Sequence, residues 1–450
     1  MRMIEFVDDA IAPGRVLVWS AVGAEPAAGD GAPPSLIQQT YLRQSWAQRA
    51  AGAAKPRWWG VAADVAGRFD RDAMAGVFAE LVRRHDAFRA MFHVEDGGVE
   101  YRQVGADRVE FVAEDLGTPG TGRELAVRLS EIFDRRTDPF TWPQYVFVTV
   151  ERESDWTVLF SADHVVIDLY SLANVGNELV ELYESAVEGR EPQLFPGVRY
   201  AEFCEAEREA LPSPEVLTES VGLWHALAES GDGTLPGFPI DLGDFREQPR
   251  VAAYEESVLA DAAMTQRFER WCRSHGGSLP SGLAAAVAIA STPAGEPFRT
   301  ILAVGTRPVG PRSTMGWYVT AAPLSFPVGD DSSGLRATMA TAHAAMRTID
   351  RDIPYAVVTD RLPPELGFDD ASWLSIVDFR SLPGAERHTE WNLRAVGAPR
   401  YVTGGDLWIN IVARGLTAHV RYPSSDEARK RVLRFLDTIA DIIAGVSGAE

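Results

Sequence analysis

The sequence predicts an α/β (α+β) protein made of two layered units of similar size. Strand-like and helix-like segments alternate through both halves of the chain. Hydrophobic residues make up 46% and charged residues 24% of the 450 residues, which is globular and leaves out disordered, collagenous and coiled-coil classes. A chain of this length can bury two cores, and Gly189-Arg-Glu-Pro-Gln-Leu-Phe-Pro-Gly197 interrupts it with two prolines, two glycines and no periodicity. The expected division is residues 1–188, a linker at 189–199, and residues 200–450.

The elements follow in order. A Pro/Gly-rich loop covers 24–34, and a helix starts near Ser35 with Leu36 and Tyr41 at apolar positions. Arg71 to His85 is helical, because Ala73, Val77 and Leu81 recur every four residues behind a capping Asp70. Phe88 to Val94 reads as a strand that turns at Asp96-Gly-Gly98 and returns to Val104. Tyr145 to Glu151 and Trp156 to Ala162 form a hairpin across Arg152-Glu-Ser-Asp155. Ser171 to Val187 is a helix with Leu172, Val175, Leu179 and Leu182 on one face. In the second half, Thr265 to Arg273 is helical and Leu283 to Ala290 is a core helix or strand. Phe298 to Gly305, Trp317 to Val328 (interrupted by Pro323), Trp373 to Phe379 and Leu407 to Tyr422 are strand regions. Asp426 to Ala444 closes the chain as an amphipathic helix started by Ser424 or Ser425.

Charge and motifs narrow the chemistry. With 43 Lys plus Arg against 64 Asp plus Glu, the net charge is −21, a field that repels nucleic acid and anionic membrane surfaces. Cys204 and Cys272 cannot make a disulfide framework and read as buried thiols in a reducing compartment. No apolar run approaches a membrane span, and the acidic N-terminus is unlike a secretory signal. A cytoplasmic protein is expected, with peripheral membrane contact open if a substrate is a lipid. No Gly-x-Ser-x-Gly, Walker loop, dinucleotide fingerprint or His-Glu-x-x-His occurs, and the scattered histidines predict no metal site.

What remains is His164, in Ser161-Ala-Asp-His-Val-Val-Ile-Asp168. It sits where a strong strand meets a helix, a junction at which backbone presents a side chain into a crevice. A neutral imidazole there can take a proton from a hydroxyl near pH 7. Asp168, just ahead of the helix, can cap it or ion-pair and so hold the loop.

The same segment resembles the His-His-x-x-x-Asp-Gly motif of condensation domains and related acyltransferases, which share the fold of chloramphenicol acetyltransferase. Arg84-His-Asp-Ala-Phe-Arg89 with Met91-Phe92, Tyr200-Ala-Glu-Phe203, and Met315-Gly-Trp-Tyr-Val-Thr320 with Pro323-Leu324 resemble further family motifs, in the family's order. Pro33-Pro34-Ser35 with Gln38, Asp232 to Pro239 with Leu242-Gly-Asp244, and Trp408-Ile-Asn410 are similar to polyketide-associated acyltransferases that acylate trehalose. Two positions depart: Asp163 stands where the family has its first His, and Leu169 where it has Gly.

The resemblance implies two chloramphenicol-acetyltransferase-like subdomains in a V shape with a tunnel between them. It implies transfer of an acyl group from a thioester, acyl-CoA or phosphopantetheine on a carrier protein, to a hydroxyl of a sugar such as trehalose. His164 acts as general base without an acyl-enzyme, and no cofactor is permanently bound. It assigns Asp168 to a structural pair with Arg307. Arg84, His85 and Arg89 lie in a helix-to-strand motif far from His164 in sequence and read as fold-supporting, not catalytic. Asp163 can act on His164 only if the two side chains meet, although successive strand residues point to opposite faces. Trp317 and Tyr318 are expected to line the tunnel. Ser375, Asp378, Trp408 and Asn410, polar or aromatic positions on strands, are expected to meet the acceptor. The partners implied are the thioester donor, the sugar or alcohol acceptor and an acyl carrier protein as a candidate donor. The competing readings are a stand-alone condensation enzyme using a carrier-bound donor, and a catalytically degenerate docking domain.

Overall fold

Tyr145–Glu151 and Asp155–Asp163 are rich in β-branched and aromatic residues, and almost every side chain along them is buried. Such strands need cover on both faces. A computed structural model of the chain describes residues 1–450 except 5, 7–10, 23–25, 28–32, 54–55, 96–97, 232, 246, 309, 311–312, 330–333, 364–365, 367–370, 383, 399–400 and 448–450. It is a mixed α/β structure, and it divides into two units. The first comprises Met1–Ala210, Arg307–Tyr318 and Ser381–Ala398; the second comprises Leu211–Thr306, Val319–Arg380 and Pro399–Glu450. The expected linker 189–199 thus stays within the first unit, and two segments from the later half of the chain join that unit.

The first unit is built on a seven-stranded sheet in the order Arg2–Ile4, Arg394–Gly397, Trp58–Ala66, Asp155–Asp163, Tyr145–Glu151, Arg15–Val22, Glu110–Gly117. On one face, Leu125, Leu129, Ile132 and Phe133 of helix Gly122–Arg136 pack on Val16, Val18, Val146, Val148 and Leu159. The other face is aromatic: Phe78 of helix Arg71–Arg84 stacks on Phe147 at 4.1 Å between centroids, and Phe160 lies 5.1 Å from Phe147 and 5.2 Å from Phe88. The two central strands pair in register from Trp58 opposite Asp163 to Ala66 opposite Asp155, so the sheet edge falls one residue before His164.

The second unit has its own seven-stranded sheet, in the order Val319–Pro327, Pro297–Gly305, Trp373–Asp378, Asp406–Val412, Gly415–Pro423, Arg250–Asp261, Tyr401–Val402. Helices Ala262–Ser274, Leu279–Ser291 and Asp426–Ser447 cover one face, through residues such as Phe268, Leu283, Val432 and Leu436 against Leu374, Ile409, Leu416 and Val420. Gly282 permits that packing, since a Cβ there would stand 2.4 Å from Cys272 Sγ. Cys204 and Cys272 are both free thiols and buried.

Local chemistry sets several boundaries. Ser35 caps helix Leu36–Ala50 in a reciprocal box with Gln38, and the run Leu283 to Ala290 lies inside helix Leu279–Ser291. The expected strand from Phe88 starts instead at Ala90, because Asp86–Arg89 form a 3₁₀ turn with Phe88 N donating to His85 O. Of its turn residues, Asp96 and Gly97 lie outside the described residues, as do 24–25 and 28–32 of the first loop and Asp232. The helix after His164 spans Leu169–Glu188, two residues earlier than its periodicity suggests, because Asp168 caps it. Pro323 is tolerated in Val319–Pro327 because that strand lies at the sheet edge.

Truncating the aromatic layer tests its weight. Phe147 and Phe160 are almost wholly buried, so Phe160→Ala should destabilise the protein by about 3–5 kcal/mol. Urea unfolding monitored by tryptophan fluorescence checks this; a loss below ~1 kcal/mol would mean the layer is not a packed core.

Candidate active site

His164 opens a five-residue passage between strand Asp155–Asp163 and helix Leu169–Glu188. Asp163, Val165, Val166, Ile167 and Asp168 are all buried, and only His164 is partly accessible. Three apolar residues anchor the passage, so the polar imidazole is the side chain left facing outward.

Hydrogen bonds hold this turn from both ends. Asp163 Oδ1 accepts from Val165 N at 2.8 Å, closing a 3₁₀ turn over His164–Val166. Asp163 Oδ2 accepts from Tyr41 Oη at 2.9 Å, and Gln38 Nε2 donates to Val165 O at 2.6 Å. Both partners come from helix Leu36–Ala50, so that helix clamps the turn. His164 N donates to Arg57 O at 3.3 Å. The Trp317 ring lies against the imidazole, with centroids 4.1 Å apart and planes 28° from parallel, and Tyr41 meets Trp317 edge-on at 5.3 Å.

Asp168 has a different set of partners. One oxygen accepts from Ser171 N at 2.7 Å, which caps the helix, and the other accepts from Tyr318 N at 3.0 Å. Arg307 Nη2 lies 2.7 and 2.8 Å from the two oxygens and 2.9 Å from Ser171 Oγ. Arg307 Nη1 donates to Thr314 O at 2.6 Å, and its guanidinium sits between the rings of Tyr170 and Tyr318 at 4.6 and 4.4 Å. The acid is 4% and the arginine 14% exposed, so this is a buried ion pair with its polar atoms satisfied. The carboxylate's acceptor sites are taken up by four contacts, which leaves Asp168 to hold backbone. Asp168 N also donates to Gly316 O at 3.1 Å. Gly316 has φ 149°, and a Cβ there would stand 2.3 Å from the Tyr200 ring, so only glycine fits. These contacts pull Trp317 and Tyr318 out of the expected strand, which begins at Val319.

Further along, the same segment meets a second buried charge. Glu178 lies 2.9 Å from His85 Nε2 and 3.2 Å from Arg84 Nε, and Ser313 Oγ donates to it. Burial works against its ionisation, but His85 and Arg84 outweigh it and bring the carboxyl down to about 2. Asn174 Nδ2 donates to Ser313 Oγ at 2.8 Å. Arg84 and His85 therefore tie the end of helix Arg71–Arg84 to helix Leu169–Glu188 through Glu178, and Arg89 donates to Val82 O and Val104 O.

The remaining expected residues fall into separate places. Tyr318 is 1% exposed and packs among Tyr200, Phe203 and Arg307, whereas Trp317 is half-buried. In the second unit, Ser375 stands opposite Trp408 and Trp408 opposite His419, while Asn410 neighbours Thr417. All five share the sheet face turned away from the covering helices. Asp378 does not join them: its parity matches Leu374 and Ile376, it is exposed, and it pairs with Arg380 at 2.6 Å. Asn410 is fully buried, and neither atom of its amide has a hydrogen-bond partner among the described residues. His419 and Glu256, 3.6 Å apart, belong to this face and were missed. The register of the last hairpin would have found them, because pairing Trp408 with His419 fixes the parity of both strands. Among the described residues, no cluster of His, Cys, Asp and Glu could hold a metal ion, and no helix is long and apolar enough to cross a membrane.

A seven-stranded sheet in each unit, with a histidine-bearing turn fixed by an Asp–Arg pair, is the architecture of condensation-type acyl-transfer folds. The family model for the condensation domain matches residues 58–443, and the chain belongs to that family. It is 26% identical over 471 residues to acyltransferase PapA3 of Mycobacterium tuberculosis, covering 98% of this chain and 95% of that one. It is 24% identical over 446 residues to trehalose-2-sulfate acyltransferase PapA2 of Mycobacterium bovis, covering 96% and 94%. Among solved structures, PapA2 acyl transferase superposes with a TM-score of 0.83 at 21% identity, covering 99% of this chain and 100% of that one. The first condensation domain of the calcium-dependent antibiotic synthetase gives 0.65 at 14% identity, covering 94% and 99%.

Asp163 gives a pH test. Burial pushes its carboxyl up to about 7, against the lowering effect of the bonds from Val165 N and Tyr41. A group raised on folding contributes stability that is fully present below its unfolded pKa near 4 and is lost as pH rises through about 7. The loss is on the order of 4 kcal/mol. Asp163→Asn removes this titration, so unfolding free energies measured from pH 4 to 8 should fall more steeply for the wild type than for the variant. Parallel curves would show that Asp163 does not titrate in this window.

Proposed function

We propose that this protein is an O-acyltransferase that moves an acyl group from a thioester, acyl-CoA or a carrier-bound phosphopantetheine, to a hydroxyl of a sugar such as trehalose. The observation that carries this reading is the presentation of His164: a lone accessible imidazole in an otherwise buried turn, clamped at both ends and stacked on Trp317. The names of the relatives agree with it, since PapA2 is a trehalose-2-sulfate acyltransferase and PapA1 acts on an acylated sulfo-trehalose.

In the proposed reaction, neutral His164 takes the proton of the acceptor hydroxyl as its oxygen attacks the thioester carbonyl. The tetrahedral intermediate collapses, the C–S bond breaks, and the imidazolium returns the proton to the departing thiolate. One ester forms, one thioester breaks, and no group stays on the protein. Asp168 and Arg307 take no part in proton transfer; they fix the turn. The polar face that carries Ser375, Trp408 and Asn410 supports an acceptor rich in hydroxyls, because the Asn410 amide is a buried donor and acceptor in need of partners.

The purified protein should transfer acyl groups when offered a panel of acyl-CoA donors with trehalose and other glycosides, as read by mass spectrometry. His164→Ala should lower turnover by about 10²–10⁴-fold while the folded fraction stays unchanged. Turnover close to wild type in His164→Ala would overturn the mechanism. Absence of transfer to every acceptor by well-folded protein would overturn the reading as a CoA-dependent sugar acyltransferase.

A further inference from the structure

One cavity of the first unit has no part in the scheme above. It measures about 360 Å³ and lies between helix Leu36–Ala50, the end of helix Gly122–Arg136 with its following loop, and the approach to strand Trp58–Ala66. Asp163 lines it. We propose that this cavity is a subsite for one ring of a neutral polyhydroxylated ligand, the sugar acceptor. The proposal rests on the acyltransferase reading above and adds to it a place for one ring of that acceptor, besides the polar sheet face already named.

Lining chemistry selects the ligand class. Its lining includes three arginines, Arg49, Arg57 and Arg135, and three aspartates, Asp134, Asp138 and Asp163. The formal charges cancel to within one even with Asp163 held near neutrality by burial, so neither a multiply charged phosphate-bearing arm nor a cation finds a matching field there. A sugar hydroxyl both donates and accepts, and an alternation of donors and acceptors is what it can use. Several of these groups are held in place: Arg49 bonds Asp138 at 2.8 Å, Arg57 bonds Gln48 at 3.1 Å, and Trp58 Nε1 donates to Asp134 at 2.7 Å. Ser45 also lines the cavity, and its hydroxyl oxygen is shielded from solvent without a hydrogen-bond partner among the described residues. A buried hydroxyl in that state calls for a ligand or water. The half-exposed Phe140 ring supplies an apolar wall for the C–H face of a ring.

Size and position agree. The volume sits at the small end of ligand pockets, which run from about 300 to 1,000 Å³, so it suits a single sugar unit better than a long acyl chain. The cavity is also next to the proposed base, for His164 N donates to the carbonyl of Arg57, a lining residue.

The test uses Ser45→Trp, which fills the cavity, and Ser45→Ala, which removes only the hydroxyl. Trehalose is the probe, in saturation-transfer NMR and as the varied substrate in the transfer assay. Ser45→Trp should abolish the NMR signal and raise the KM for trehalose about tenfold or more, with kcat and the KM for acyl-CoA within about twofold of wild type. Ser45→Ala should raise the same KM by a smaller factor, and it serves if the tryptophan variant fails to fold. An unchanged KM for trehalose in the folded variants overturns the subsite, as does a rise confined to the KM for acyl-CoA, or wild-type protein that binds no trehalose. If wild-type protein binds trehalose without transferring acyl groups and Ser45→Trp abolishes the binding, the subsite stands and the acyltransferase reading falls.

Discussion

The Asp168 carboxylate is where the first unit is tied together. It caps helix Leu169–Glu188, accepts the backbone of Tyr318 and binds Arg307, joining residues more than a hundred positions apart. Its partners bring the whole stretch Arg307–Tyr318 into a unit whose other members come mostly from the first 210 residues. Removing one side of such a pair leaves a buried charge at a cost of about 3–5 kcal/mol, so the arrangement is held or lost as a piece. Once Arg307 is placed, Gly316 and Trp317 follow, and Trp317 reaches the imidazole of His164.

Two carboxyls flank that histidine and do unlike work. Asp168 is saturated by a guanidinium and two backbone amides and acts as a fixed anion. Asp163 lies one residue before His164, has no cation hydrogen-bonded to it among the described residues, and is pushed toward neutrality by burial. It stands where the family carries its first histidine. Its hydrogen bonds go to Tyr41 and to the Val165 backbone, so its effect on His164 passes through the turn and through helix Leu36–Ala50.

His164 and Asp168 were legible because their signal is local: a strong strand, four residues, then a helix cap. The mixed α/β architecture was legible for the same reason, since periodicity reports each element. Tyr41 and Gln38 are a different case. They sit more than a hundred residues from the turn they clamp, and apolar spacing alone reports Tyr41 as a core position. Trp317 and Tyr318 look alike in sequence, yet one stacks on the imidazole and the other is sealed in the core, a difference set by the Asp168–Tyr318 backbone bond. Asp378 was grouped with Ser375 because both are polar residues of one strand; the strand's alternation puts them on opposite faces. Strand parity depends on register, and register is a pairing between segments that a single strand does not display.

In the proposed reaction everything converges on one proton, taken by the neutral imidazole of His164. The most direct test follows that proton in one sample, comparing the pH dependence of kcat/KM for acyl transfer with the NMR titration of the His164 ring, in wild type and in Asp163→Asn. The account predicts that the acid limb of the rate profile coincides with the His164 titration in both proteins, and that the two move together if the substitution shifts them. A rate profile that ignores the His164 titration, or follows Asp163 and vanishes in its asparagine variant, would contradict it.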